Sequence, residues 1–227
     1  MCKQVPEAAE KAAPSTARQW LICVLIVLLC VLIFLLVYRT VRSSVKPDTL
    51  LPYLQSLDLP AEPVEEPVFS SGYGAPAASS EELFALLQDK TLVEGTVSSV
   101  DAVRVPVSDG VWYLAVVTVE VDQTLSGEAR TGSLRLIGAA ELSGEDISAD
   151  TVPIPGFSGC EAGMHAVFAL RPLPDSAWRI SGKRVVPTEL ADAMPLCILT
   201  HDGDNLTALE AGVSVSLSAL ASVEGAK

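Results

Sequence analysis

Aromatic residues are scarce, at 5% of the chain, and basic ones are outnumbered: 15 Lys and Arg stand against 28 Asp and Glu, a net charge of −13. That deficit excludes a protein built to hold nucleic acid, because a phosphate backbone must be met by Lys and Arg. Cysteine is sparse as well. Five in 227 residues are too few for a small domain held together by disulfides. No Gly-rich phosphate loop and no dinucleotide fingerprint occurs, so no cofactor is expected. What the chain does have is apolar residues, 49% of the total, enough for one anchoring helix and one globular domain of ordinary size.

One long apolar run stands out. Trp20 to Tyr38 spans 19 residues without a charge, a Gly or a Pro. At about 1.5 Å per residue it reaches about 28 Å, against a hydrocarbon core of about 30 Å. Trp20 and Tyr38 occupy its ends, where amphipathic rings settle at the interface, and Arg18 and Arg39 close it. A core helix of this kind would need cover on every side, which a small domain cannot supply. The length of the run and of the arm before it (residues 1–19) fits an uncleaved signal anchor better than a cleaved signal peptide. Cys23 and Cys30, seven residues apart, then share a helix face as small buried thiols. The flanking cations nearly balance, with Lys3, Lys11 and Arg18 before the run and Arg39, Arg42 and Lys46 after it. The short arm and the acidic remainder break the tie: residues 47–227 carry 26 acidic and 9 basic groups, a net of −17. The reading is a cell-membrane protein with a cytoplasmic N-terminus and an extracytoplasmic C-terminal domain.

Residues 39–79 read as a juxtamembrane segment and a Pro-rich linker. Six prolines fall between Pro47 and Ser80, together with Glu62, Glu65, Glu66 and the Ser70-Ser71-Gly72-Tyr73-Gly74 stretch. Such a segment is expected to be an extended spacer without a core of its own. Only Leu50 to Leu59 is apolar enough for a short helix near the membrane surface.

The domain is placed at residues 80–223, with 224–227 as a tail. Ser79-Ser80-Glu81-Glu82 has the form of a capping box and opens a helix over 80–88. The hydrophobic period then changes to two. Val93, Gly95 and Val97 share one face of a strand over 92–100, where Gly95 suggests a bulge. In 111–122, Val111, Tyr113, Ala115, Val117, Val119 and Val121 form one apolar face, and Trp112, Leu114 and Val116 make the start of the other face apolar too. Turns are expected at Ser108-Asp109-Gly110, Ser126-Gly127-Glu128 and Asp202-Gly203-Asp204-Asn205. Further strands are read at 133–137, 164–170, 178–180 and 196–200, and residues 138–158 as a long loop. Ser216 is expected to cap a closing helix over 217–223.

Taken in order, Leu92-Val93-Glu94-Gly95-Thr96-Val97, Val117-Thr118-Val119-Glu120-Val121-Asp122, Leu125-Ser126-Gly127-Glu128 and Gly163-Met164-His165-Ala166-Val167-Phe168-Ala169-Leu170 follow a recognisable pattern. Together with the ending Val215-Ser216-Leu217-Ser218-Ala219-Leu220, this pattern resembles the OB-fold barrels related to the netrin module and the tissue inhibitors of metalloproteinases. Similar domains occur in uncharacterised bacterial envelope proteins. The resemblance covers roughly residues 83–223 and implies a mainly β fold: a small OB-like barrel with short flanking helices, preceded by one transmembrane helix and a Pro-rich linker. The inhibitory members present an N-terminal cysteine to a metal. This domain has none, so inhibition is not carried over.

Chemistry-bearing residues are few. Cys160 and Cys197 are the two cysteines of the domain. Outside the cytoplasm they could close one disulfide worth about 3–4 kcal/mol; the other reading is two buried thiols. Adding His165 and His201 suggests zinc, but Cys197 and His201 on an extended strand would lie about 13 Å apart, too far to share an ion, so no metal site is expected. Gly156-Phe157-Ser158-Gly159-Cys160 departs from the nucleophile elbow by carrying Cys160 in place of its last glycine. Ser43 and Lys46 have dyad spacing but sit beside the membrane. Asp202 and Asp204 supply too few ligands for a calcium loop. Asn205-Leu206-Thr207 is a sequon by pattern alone. No catalytic residue is therefore expected. The leading reading is a single-pass module for binding or assembly at the cell envelope, with an unknown envelope protein or ligand as partner. An envelope hydrolase and a cytoplasm-facing adaptor are the alternatives.

Overall fold

The computed structural model describes residues 49–70, 77–143 and 151–224, and in addition the single helical positions Val24 and Leu29, both exposed. The chain divides into two units, Met1–Val45 and Lys46–Lys227, and the described fold belongs to the second. Apart from Val24 and Leu29, the expected membrane helix lies outside the described residues. So do its anchors Arg18, Trp20, Tyr38 and Arg39. No helix among the described residues is long and apolar enough to cross a membrane.

In chain order the second unit begins with α1 (Leu50–Ser56), β1 (Glu62–Pro63), β2 (Val68–Phe69), α2 (Ser80–Leu87), β3 (Thr91–Val107), β4 (Gly110–Ser126) and β5 (Gly132–Leu142). It continues with β6 (Thr151–Val152), β7 (His165–Arg171), β8 (Trp178–Ile180), β9 (Lys183–Val185) and α3 (Pro187–Leu190). It ends with β10 (Met194–Asp202), β11 (Asn205–Ala208), β12 (Ser214–Ser216) and α4 (Leu217–Glu224). The main sheet runs β12-β11-β10-β7-β3-β4-β5, antiparallel throughout, with β1 added to the second half of β3. Two small sheets, β2-β6 and β8-β9, accompany it.

The alternation in β4 explains its burial. Tyr113, Ala115, Val117 and Val119 enter one core, and Leu114 and Val116 enter another on the opposite face. β3 bends to follow, with register shifts against β4 at Leu92/Val93, Glu94/Gly95 and Val97/Ser99. Gly95 is required there because a Cβ would stand 2.4 Å from the Glu120 carbonyl oxygen, so the bulge expected from the sequence is present.

Three cores result. The first takes side chains from one face of β3, β4, β5, β7 and β10, among them Val97, Val119, Leu136, Phe168 and Ile198. The second covers the outer face of β3, β4 and β5 with Leu50 and Leu54 of α1, Ile180, Val185 and Leu190. The third packs α2 and the β11–β12 hairpin over Leu92, Val167, Ala169, Cys197 and Leu199.

Both expected caps form. The Glu82 amide donates to Ser79 Oγ at 3.2 Å, and the Glu82 carboxylate accepts the Ala78 amide at 2.7 Å. At α4 the Ala219 amide donates to Ser216 Oγ at 3.3 Å, while Asp204 accepts the Ser218 amide at 2.9 Å and the Ser218 hydroxyl at 2.8 Å.

Three expectations need correction. First, the spacer over 39–79 is too long. Leu50, Leu54, Leu59, Ala61 and Phe69 are buried, and Tyr53 donates to the Glu189 carboxylate at 2.9 Å and accepts the Val186 amide at 3.3 Å. The segments around Pro52, Pro60, Pro63 and Pro67 still offer apolar side chains to the cores, so the proline content does not prevent packing.

Second, the loop over 138–158 is structured wherever it is described. β5 continues to Leu142, and Val152, Ile154 and Phe157 are fully buried in the first core. Gly138 makes room for them: a Cβ there would lie 2.3 Å from Ile154 and 2.9 Å from Phe157.

Third, no continuous ladder among the described residues closes the sheet into a barrel. β5 meets the residues before β10 at a single parallel bridge, Leu136 to Ala193.

If residues 50–61 belong to the core, Leu54→Ala should cost about 2–5 kcal/mol, the range for emptying a buried leucine site. Thermal melting reads the loss, and an unchanged Tm would return this segment to a spacer.

Candidate functional site

The outer face of β3, β7 and β10 changes character along its length. Glu94 pairs across to Val167 and Thr96 to His165. His201 follows Leu199 two residues on. Alternation therefore places Glu94, His165 and His201 on the same face as the third core, at its polar end. Glu94 is only 8% exposed. One carboxylate oxygen accepts from Gln123 Nε2 at 2.6 Å and the other meets His201 Nδ1 at 3.1 Å. His165 Nε2 stands 3.2 Å from the Asp122 carboxylate. Both histidines of the chain thus end on carboxylates.

Burial works to raise the Glu94 pKa. Hydrogen bonds from Gln123 and His201, with the positive fields of His201 and His165, outweigh it and hold the carboxyl below its ordinary value. With both oxygens engaged, Glu94 is a fixed anion that ties β3 to β4 and β10. His201 Nε2 is buried without a partner among the described residues.

The cysteines do not join this cluster. Cys160 lies in the first core and Cys197 in the third, on opposite faces of the β7–β10 ladder. Both are free, and this arrangement separates the two thiols that a disulfide would join. Burial pushes each thiol up to about 12, with Glu161 adding to the effect at Cys160 and Glu210 at Cys197. Neither is poised as a nucleophile. Cys160, His165, Cys197 and His201 do not converge, and no group of three metal-ligating side chains occurs among the described residues.

The Gly156–Cys160 turn is a packing device. Phe157 is fully buried, with its ring centroid 5.4 Å from that of Phe69. Asp204 is committed to Ser216 and Ser218 at the start of α4, which is a capping role. Asn205 is exposed at the start of β11. Ser43 and Lys46 lie outside the described residues.

A second polar site, unforeseen from the sequence, is a cleft of about 280 Å³ at one end of the sheet. The loop after α2, the turn between β4 and β5, the end of β7 and the residues before β10 meet there. Lys90, Arg130 and Arg171 line it beside an apolar wall of Leu170, Pro172 and Leu173. The acids around it are engaged. Glu128 lies 2.7 Å from the Arg130 guanidinium, and Asp192 accepts the Arg135 amide at 2.9 Å. Arg130 Nε is buried without a partner, and the side chains of Lys90 and Arg171 make no ion pair or hydrogen bond among the described residues. The three cations stand about 40 positions apart in the chain, a separation that no linear motif detects. Comparison with family models, curated proteins and solved structures finds no match to the chain.

Two predictions follow from this geometry. The Glu94 contribution to stability is fully present above the ordinary carboxyl range and is lost as pH falls through its depressed native value. Glu94→Gln should therefore lower stability by about 1–3 kcal/mol at neutral pH and flatten the fall in Tm between about pH 5 and pH 3. An acid limb identical to that of the parent would refute the linkage. Alkylation of the native chain at about pH 8, mapped by mass spectrometry, should leave Cys160 and Cys197 unlabelled until the domain is unfolded. Labelling of either as fast as a free thiol would contradict its burial.

Proposed function

We propose that this chain is a single-pass membrane protein whose C-terminal domain is an extracytoplasmic binding module of OB-like design. The uncharged run Trp20–Tyr38, with Arg18 and Arg39 at its ends, supports the anchor. The net charge of −17 on residues 47–227, from 26 acidic and 9 basic groups, supports the orientation. The OB-like reading draws on two features: five strands that share the first core, and the Leu136–Ala193 bridge between the β5 edge and the approach to β10. This strand order also keeps the resemblance to netrin-like domains as a proposal about fold alone.

The observation that carries binding is the cleft. Lys90 and Arg171, unpaired among the described residues, and the apolar wall offer a receptive surface, whereas Glu94, the most buried acid among the described residues, has both carboxylate oxygens engaged. That contrast supports the binding reading. The start of α1 at Leu50 leaves residues 39–49 between the apolar run and the domain. Fully extended, those eleven residues would reach at most about 40 Å.

Protease added to intact cells tests this directly, with lysed cells as the control. The domain should be digested without lysis, and the chain should stay in the membrane fraction through alkaline extraction. Protection until lysis would overturn the orientation and favour the cytoplasm-facing adaptor.

A further inference from the structure

We infer that the domain rests on the bilayer surface through the rim of its second core, with Tyr53, Trp178 and the half-buried leucines of α1 at the contact, an assignment that rests on the membrane anchor of the reading above and not on the cleft. The amphipathic aromatics are gathered there. Of the described Trp and Tyr side chains, Tyr113 is closed inside the first core. The others, Tyr53, Trp112 and Trp178, are half-buried, and all of them pack against the second core. Rings of this kind, apolar in the body and polar at the tip, settle at the boundary between hydrocarbon and water. Neither indole N–H makes a hydrogen bond among the described residues, which leaves each donor to solvent or to a head-group oxygen.

Tyr53 and Trp178 belong to one neighbourhood. Trp178 pairs with Val185 across β8 and β9, and the amide of the next residue, Val186, donates to the Tyr53 hydroxyl at 3.3 Å. That hydroxyl donates in turn to the Glu189 carboxylate at 2.9 Å, and Lys183 of β9 meets Asp58 just after α1 at 3.3 Å. α1 is thereby fastened to the hairpin, with Leu51 and Leu57 left half-buried beside the fully buried Leu50 and Leu54. The occupant is identified by the tether. α1 is the first described element of the domain, and residues 39–49 are all that separates it from the run Trp20–Tyr38. Extended, they reach at most about 40 Å, so the chain enters the domain at the second core, within reach of the surface that the run would cross. Charge does not select that surface. Arg179, Lys183 and Arg184 of the hairpin are matched in number by Asp58, Asp175 and Glu189. The contact is therefore one of amphipathic side chains with the interface, and it needs no anionic lipid.

The test uses the full chain in nanodiscs of phosphatidylcholine, doped with a phosphatidylcholine that carries a photoreactive diazirine near its glycerol backbone. After irradiation, mass spectrometry maps the labelled residues. Within the domain, label is expected on the peptides that hold Leu51 to Leu57 and Trp178, in low and in high salt alike. It should be absent from Val68 and Leu209, the most exposed large apolar side chains of the domain among the described residues, neither of which packs on the second core. Trp178→Gln should lower the labelling of the α1 peptide at least twofold, and Leu209→Gln should leave it unchanged. Label on Val68 and Leu209 as strong as on α1, or no label anywhere in the domain, overturns the inference. Loss of the domain label in high salt overturns it as well, because the contact would then be one of charge. Label at the ends of the run Trp20–Tyr38 reads the anchor separately. A labelled run beside an unlabelled domain defeats the docking alone, whereas an unlabelled run defeats the anchor reading and the docking with it.

Discussion

The fold depends on one constraint: the β3–β4 hairpin is apolar on both faces over much of its length. Two strands of 17 residues each cannot leave such surfaces in water, where each exposed Val or Leu side chain forgoes about 1.5–3 kcal/mol. One face is satisfied by curling, so that β5, β7 and β10 supply the first core. The other face needs outside cover. α1 and the β8–β9 region supply it for Val103, Val105, Leu114 and Val116, and α2 with β11–β12 covers Leu92 and its neighbours on β7 and β10. The short elements are thus consequences of the hairpin. They exist because two outer apolar surfaces must be capped.

The residues that drive this were also the most legible. Alternation in 111–121 separates the two faces of β4 without any knowledge of its partners, and the position where the second face turns polar marks where cover ends. Gly95 and the Ser79 and Ser216 caps were readable because each has a local cause: a close approach or an unsatisfied helix terminus. What stayed hidden has no local cause. Leu50, Leu54, Leu59 and Phe69 are spaced irregularly among prolines and glutamates, and only distant strands give them a reason to be buried: the outer faces for the leucines and the first core for Phe69. Ile154 and Phe157 are of the same kind, since their place depends on Gly138 in a strand that precedes them.

The polar residues divide along the same line. Glu94, His201 and Gln123 come together because adjacent strands align them. The product is a buried anion with every oxygen used, and it serves cohesion between strands. Such a carboxylate is stabilising only while its partners stay in place, because removing one leaves a desolvated charge. Of the cleft cations, Lys90 and Arg130 come from connections between elements, and Arg171 ends β7 opposite Met194 of β10.

The same need for cover decides the role of the Pro-rich stretch. Packing of Leu50 and Leu54 into the second core makes residues 50–61 a part of the domain instead of a spacer. The ordering entropy of this stretch is a real cost, about 1–2 kcal/mol for each residue fixed. Cover for Val103, Val105, Leu114 and Val116 offsets it. The same apolar surface that makes the hairpin need a helix thus draws a proline-rich stretch into the fold, which its composition alone would leave outside.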